Sequence, residues 1–240
     1  MRIHKCLALF VFFIISQISK ADDQPLLQSN GVVIVTLGEK KIINEMAVFP
    51  QGGIANRPLL VMAHGNGSSG PKEIQRWIAL AQQHHFTIVC PTFLSAVRLM
   101  HIPDDAPYFK DCLNWIKDNL QYDKGNVFMS GVSGGGYAVW YLGTTRPDFF
   151  KGLFLQSGNF AGQYYGLDIS GWHEKPIKLI WGSQDLPDIP VQNQNAVDFL
   201  KSEHCTNYST EVIQGGHHGE HPDLVVTWIE QQMSTPPSSN

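Results

Sequence analysis

Short continuous apolar runs alternate along the chain with segments whose apolar residues recur every three or four positions. The runs are residues 58–63 (PLLVMA), 86–93 (FTIVCPTF), 126–129 (NVFM), 151–157 (KGLFLQS) and 177–181 (IKLIW). Runs that do not alternate with polar residues suit strands covered on both faces, as in a parallel sheet between two helical layers. Helical periodicity predicts helices over 71–85, with Ile74, Trp77, Ile78 and Ala81 on one stripe, and over 104–121, with Phe109, Leu113, Ile116 and Leu120. Two more are predicted over 191–203 and over 223–232, the last with Leu224, Val225, Trp228 and Ile229 inward. Residues 31–37 and 40–50 predict an opening antiparallel hairpin, and 209–213 a final strand. Asp104 and Asp105 read as first-turn charges that complement a helix dipole. Together these elements predict an α/β fold, a mostly parallel sheet with helices on both faces.

The two ends depart from this pattern. Residues 1–21 carry Arg2 and Lys5, then an apolar stretch over 7–15, then Ser19-Lys20-Ala21, with small residues placed for a cut ahead of Asp22. That is the layout of a cleavable secretory signal, and the apolar stretch is shorter than the roughly 20 residues a membrane-crossing helix needs. The expected organisation is a signal peptide at 1–21, one domain at 22–233 and a disordered polar tail at 234–240, in a secreted or periplasmic protein. Seventeen Lys and Arg against 21 Asp and Glu give a net charge of −4, and losing Arg2, Lys5 and Lys20 with the signal leaves −7. A mildly acidic chain offers no basic surface for nucleic acid or anionic membrane, so neither is expected as a partner. Cleavage would leave Cys90, Cys112 and Cys205, which allow at most one disulfide. Cys90 in an apolar run and Cys112 in a helix suit buried free thiols.

Candidate chemistry concentrates in residues 126–141, NVFMSGVSGGGYAVWY. A strand enters Gly131-Val132-Ser133-Gly134-Gly135, and a helix-capable segment leaves it. Such a turn exposes the serine Oγ on a strained backbone, and the residues two before and two after the serine crowd so closely that only glycine fits. The Gly134 N–H would face an oxygen bound at Ser133. A second glycine-rich turn, His64-Gly65-Asn66-Gly67, closes the strand at 58–63, and there Asn66 is expected to supply a second N–H.

A serine hydroxyl needs a base, and the base needs an acid to orient it. Asp185 follows the strand at 177–181 and His217 the strand at 209–213, so Ser133, Asp185 and His217 would meet at one edge of the sheet. Asp188 and His218 are the alternatives to Asp185 and His217. His217, His218 and His221 lie close in sequence, but no HExxH pattern accompanies them, and neither a metal nor a cofactor is expected. The loop at 158–176, with Phe160, Tyr164, Tyr165, Trp172 and His173, either shapes a substrate pocket or covers the core.

With HGNG at 64–67, DDAPYFKDCLNWI at 104–116, NVFMSGVSGGG at 126–136, WGSQD at 181–185 and GGHH at 215–218, the chain resembles secreted α/β-hydrolases of the small esterase type. It is similar to dienelactone hydrolases, feruloyl esterases and polyhydroxybutyrate-depolymerase-like proteins, with Ser133 where dienelactone hydrolases carry cysteine. The resemblance spans nearly all of the chain after residue 21. It implies an α/β-hydrolase fold with little or no lid. By it, Ser133 is the nucleophile, His217 the base and Asp185 the acid, with the N–H groups of Asn66 and Gly134 as the oxyanion hole and no cofactor. The expected activity is cleavage of small-molecule, plant or polymer esters through an acyl-enzyme. The alternatives are a peptidase of the same fold and a non-catalytic binding protein built on it.

Overall fold

The computed structural model describes residues 26–27, 30–37, 45–93, 102–217 and 221–234. The expected signal peptide, the tail beyond Ser234 and His218 lie outside the described residues. In chain order the strands are β1 (Leu26–Leu27), β2 (Val33–Thr36), β3 (Glu45–Phe49), β4 (Leu59–Ala63) and β5 (Thr87–Pro91), then β6 (Val127–Val132), β7 (Gly152–Gln156), β8 (Ile177–Gln184) and β9 (Tyr208–Gly216). The helices are α1 (Gly70–Ile74), α2 (Ile78–Gln83), α3 (Ala106–Asn119), α4 (Gly135–Ala138), α5 (Asp188–Ser202) and α6 (Pro222–Ser234). Among the described residues one nine-stranded sheet has the order β1-β2-β3-β5-β4-β6-β7-β8-β9. β1, β2, β3 and β5 pair antiparallel in turn, and every pairing from β5 through β4 to β9 is parallel.

Alternation along the strands divides the core into two layers. Leu59, Val61 and Ala63 of β4 face the layer of α3, α4 and α5, where they meet Phe109, Ile116, Ala138 and Leu200. Leu60 and Met62 face the other way, into the layer of α1, α2 and α6, with Ile74, Trp77 and Ile229. Burial on both faces explains why the sequence shows apolar runs there rather than alternation.

Several predicted elements change form. The opening hairpin is present, and β1, which the apolar pattern did not predict, pairs with β2 at its edge. Residues 71–85 form α1 and α2 rather than one helix, because the backbone bonds Arg76 N–H to Glu73 O and Trp77 N–H to Ile74 O wind the junction into a tight turn. α5 begins at Asp188, before the predicted start at 191, with Pro190 in its first turn, where its missing N–H costs no helical bond. β8 and β9 run on to Gln184 and Gly216. In α6, Val226 is buried and Leu224 only half-buried. Asp104 and Asp105 do lie in the first turn, a 3-10 turn over Ile102–Asp105 that runs into α3, with Asp105 buried at the N-cap position. In the 158–176 loop, Phe160, Tyr164 and Trp172 are core residues, while Tyr165 is half-exposed and stacks on Phe199. Cys90, Cys112 and Cys205 are all buried free thiols.

Trp228 of α6 packs edge-on against Phe128 and Phe154, with ring centroids 5.7 and 5.4 Å away. Phe128 is fully buried between β6 and that helix. Phe128→Ala is expected to cost about 3–5 kcal/mol of unfolding free energy, read as a lower urea midpoint at an unchanged slope. A loss below about 1 kcal/mol would show that this contact does not close the α6 layer.

Candidate active site

β6 ends at Val132 and the chain turns at Ser133, whose φ is +51°. The turn is fixed from three directions. The Ser133 N–H donates to Gln156 O at 3.0 Å, and Ser133 O accepts the N–H groups of Gly136 at 2.8 Å and Asn159 at 2.9 Å. A Cβ on Gly131 would lie 2.5 Å from Gly135 O, and one on Gly135 would lie 2.2 Å from Ala63 O. Both positions therefore exclude any side chain, so the glycine spacing in the sequence follows from packing.

The other two groups arrive from the adjacent strand ends. β8 and β9 pair in parallel as far as Gln184 with Gly216, so the next residues, Asp185 and His217, emerge side by side. Asp185 Oδ1 accepts from His217 Nδ1 at 2.6 Å, and His217 Nε2 lies 2.9 Å from Ser133 Oγ. A carboxylate can only accept, so Nδ1 carries the proton and Nε2 is left to accept from the serine hydroxyl. Asp188, the alternative acid, is exposed on α5 and accepts from Gln192 Nε2. His217 is thus the imidazole between Asp185 and Ser133.

The Asp185 side chain has no solvent exposure. Burial raises a carboxyl pKa, but here donors outweigh it: Ser157 Oγ at 2.5 Å, the Gly182 N–H at 3.1 Å, His217, and the Leu186 N–H at 2.8 Å. Together they hold the group below the usual aspartate range.

Three residues of this constellation escaped the sequence reading. Ser157, buried at the end of β7 with φ +46°, supplies the hydroxyl to Asp185. Gln156 is fully buried; besides receiving the Ser133 N–H on its backbone, its side chain accepts the His221 N–H at 2.8 Å and so ties the segment after His217 to the elbow. His64 is fully buried, with Nδ1 donating to Gly65 O at 2.8 Å and Nε2 accepting the Phe93 N–H at 3.0 Å. Burial outweighs the Gly65 bond and holds the His64 pKa below the ordinary imidazole value. The only sequence signal for Ser157 was its place at the end of an apolar run, much as Ser133 and Asp185 follow theirs.

A cleft of about 550 Å³ opens over Ser133 and His217, and Asn66 and Leu186 line it. The Gly65-Asn66 turn abuts the elbow, since a Cβ on Gly65 would lie 3.5 Å from Ser133 Cβ. Neither the Asn66 nor the Gly134 N–H has a hydrogen-bond partner among the described residues. No cluster of three His, Cys, Asp or Glu side chains suited to a metal ion occurs among the described residues.

Sheet order, elbow and strand-end geometry define a serine hydrolase of the α/β-hydrolase fold. The chain belongs to the prolyl oligopeptidase family, which it matches over residues 92–215. It is 28% identical over 202 residues to poly(3-hydroxyalkanoate) depolymerase C of Paucimonas lemoignei, covering 68% of this chain and 49% of that protein. The chain thus spans about half the length of that relative. Among solved structures, S-formylglutathione hydrolase FrmB from Staphylococcus aureus aligns with a TM-score of 0.62 at 17% identity, over 82% of this chain and 96% of that one. A ferulic acid esterase aligns with a TM-score of 0.59 at 16% identity, over 83% and 95%. At such identities the structural likeness speaks for the fold, which is the one the esterase resemblance implied.

The Asp185 network has a pH signature. A carboxylate whose folded pKa is depressed contributes stability that is present above the unfolded pKa and lost as pH falls through the folded one. Ser157→Ala removes one donor to the carboxylate and is expected to cost about 1.5–3 kcal/mol at neutral pH. The gap to wild type should close as pH drops below the ordinary aspartate range, in denaturant titrations run at several pH values. A gap that stays constant with pH would mean that Ser157 acts by packing alone.

Proposed function

We propose that this protein hydrolyses carboxylic esters, with Ser133 as nucleophile, His217 as general base and acid, and Asp185 as the group that orients the imidazole. The observation that supports this reading is the unbroken line from Asp185 Oδ1 through His217 to Ser133 Oγ, at 2.6 and 2.9 Å. In the proposed reaction, Nε2 takes the hydroxyl proton as Oγ bonds to the ester carbonyl carbon. The N–H groups of Asn66 and Gly134 stabilise the resulting oxyanion. Collapse of the tetrahedral intermediate breaks the bond to the alcohol oxygen, which leaves with the proton from Nε2. Water then attacks the acyl-enzyme, giving its proton to Nε2, and Ser133 departs with that proton restored. Asp185 keeps the imidazole in the correct tautomer and stabilises the imidazolium without itself taking the proton. The mechanism uses no cofactor.

The similarity to a poly(3-hydroxyalkanoate) depolymerase favours an ester of small-molecule or polymer origin as substrate. The family match favours peptide cleavage as the second reading, since amide and ester hydrolysis use the same groups. The proposed site of action is outside the cytoplasm, on the strength of residues 1–21 alone. On that proposal the mature chain begins at Asp22, and intact-mass measurement of exported protein should show it.

The test is hydrolysis of p-nitrophenyl esters from acetate to palmitate beside peptide p-nitroanilides. Ser133→Ala is expected to lower kcat by about 10⁶-fold, while a chelator leaves the wild-type rate unchanged. Equal turnover by wild type and Ser133→Ala would sink the serine mechanism. Cleavage of the anilides alone would transfer it to peptides.

A further inference from the structure

We propose that Gln192 of α5 is a positioning residue for Ser133, acting through residues 158–160, and that Asp188 sets the direction of its amide. This deepens the ester-hydrolase reading and rests on it. The turn at Ser133 is held in part by the bond from the Asn159 N–H to Ser133 O at 2.9 Å. Where Asn159 sits therefore decides how firmly that strained backbone is held. Gln192 Oε1 accepts two bonds from the same segment, from Asn159 Nδ2 and from the Phe160 N–H, each at 2.9 Å. Its Nε2 donates to Asp188 Oδ2 at 2.8 Å, one helical turn earlier. A carboxylate can only accept, so Asp188 takes the amide nitrogen and leaves the amide oxygen to the two donors. Asp188, which does not serve as the acid for His217, thus orients Gln192 much as Asp185 orients the imidazole.

The segment has little slack. A Cβ on Gly136 would lie 2.5 Å from Asn159 N and 2.7 Å from Gly158 C, so the chain at 158–159 runs directly against the first turn of the elbow helix α4. On its other side Asn193, buried beside Gln192, donates through Nδ2 to Gly158 O at 3.2 Å. The Phe160 ring packs on Trp140 and Phe199, with centroids 5.0 and 5.7 Å away. α5 therefore grips Gly158, Asn159 and Phe160 in succession, and all three lie between it and the elbow. Ring packing is non-directional and fixes only how deep Phe160 sits, whereas the bonds to Oε1 fix the direction of the backbone at 159–160. Without them the support beneath Ser133 can shift, and misplacing a reacting group by about 1 Å costs about a hundredfold in rate. Gln192 carries one part of that support, so its expected share is smaller.

The experiment measures p-nitrophenyl acetate hydrolysis and the rate at which a fluorophosphonate labels Ser133, with the labelled fraction counting intact sites. Gln192→Met keeps the length of the side chain without its hydrogen bonds. In it kcat/KM and the labelling rate constant, both per intact site, should fall about tenfold, the former chiefly through kcat. Asp188→Asn/Gln192→Glu should recover both to within about twofold of wild type, because a carboxylate at 192 accepts the same two bonds and an amide at 188 donates to it. The pH at which activity is half-maximal should not move, since Asp185 and His217 keep their partners. Asn159→Ala removes one of the two bonds and should lower the rate constants about threefold, which keeps the test open if Gln192→Met does not fold. Gln194→Met removes a bond of the same kind on the same helix, to Asp198, and should change neither rate constant. A purely structural role would lower the labelled fraction alone. Rate constants within about twofold of wild type in the variants that fold, an equal fall in Gln194→Met, or no recovery in the double variant would overturn the proposal while leaving the esterase reading intact. Wild type that neither labels at Ser133 nor cleaves the ester would overturn both.

Discussion

Everything at this site depends on one backbone turn. Ser133 sits at φ +51°, a conformation that costs a non-glycine residue about 1–3 kcal/mol unless its surroundings enforce it. Here they do. The turn is held on one side by Gln156 of β7, on another by Asn159, and beneath by the approach of Gly135 to Ala63. Gln156 and Ala63 belong to the central parallel strands β7 and β4, and Asn159 follows β7 closely, so the strain is carried where the sheet is most deeply buried.

The second dependence is electrostatic. A carboxylate without solvent exposure would ordinarily shed its charge, and a neutral Asp185 could not stabilise a protonated His217. Ser157 and two backbone N–H groups keep it ionised by replacing the water it has lost. Ser157 thus belongs with the site although it touches neither Ser133 nor His217 in the described hydrogen bonds. His64 plays a comparable part for the facing turn: a neutral, buried imidazole bridges Gly65 and Phe93, and so couples the turn after β4 to the segment after β5.

The polar walls of the cleft follow from the same economy of space. α1 must pass close to β5, where a Cβ on Gly70 would meet Cys90 O at 1.9 Å. That approach buries Glu73 and Ile74 against the sheet and leaves Lys72 and Arg76 outward. The sorting of charge beside the cleft is therefore a consequence of how the helix seats, with Glu73 inward and Lys72 exposed.

By itself the sequence determined the α/β architecture, because two-sided burial writes unbroken apolar runs such as 58–63 and 126–129 into the chain. It also determined the elbow, since the glycines around Ser133 are a local steric requirement, and it placed Asp185 and His217 just beyond strands in an order that brings them together. Tertiary structure alone decided the rest. Nothing local separates Asp185 from Asp188; the choice falls out of β8 running on to Gln184 and pairing it with Gly216, while α5 begins at Asp188. Ser157, Gln156 and His64 were not legible because their partners lie 28, 65 and 29 residues away, and contacts of that kind are set by strand register. Hydrophobic periodicity reports which face of an element is buried; it carries no record of which distant side chains share that burial.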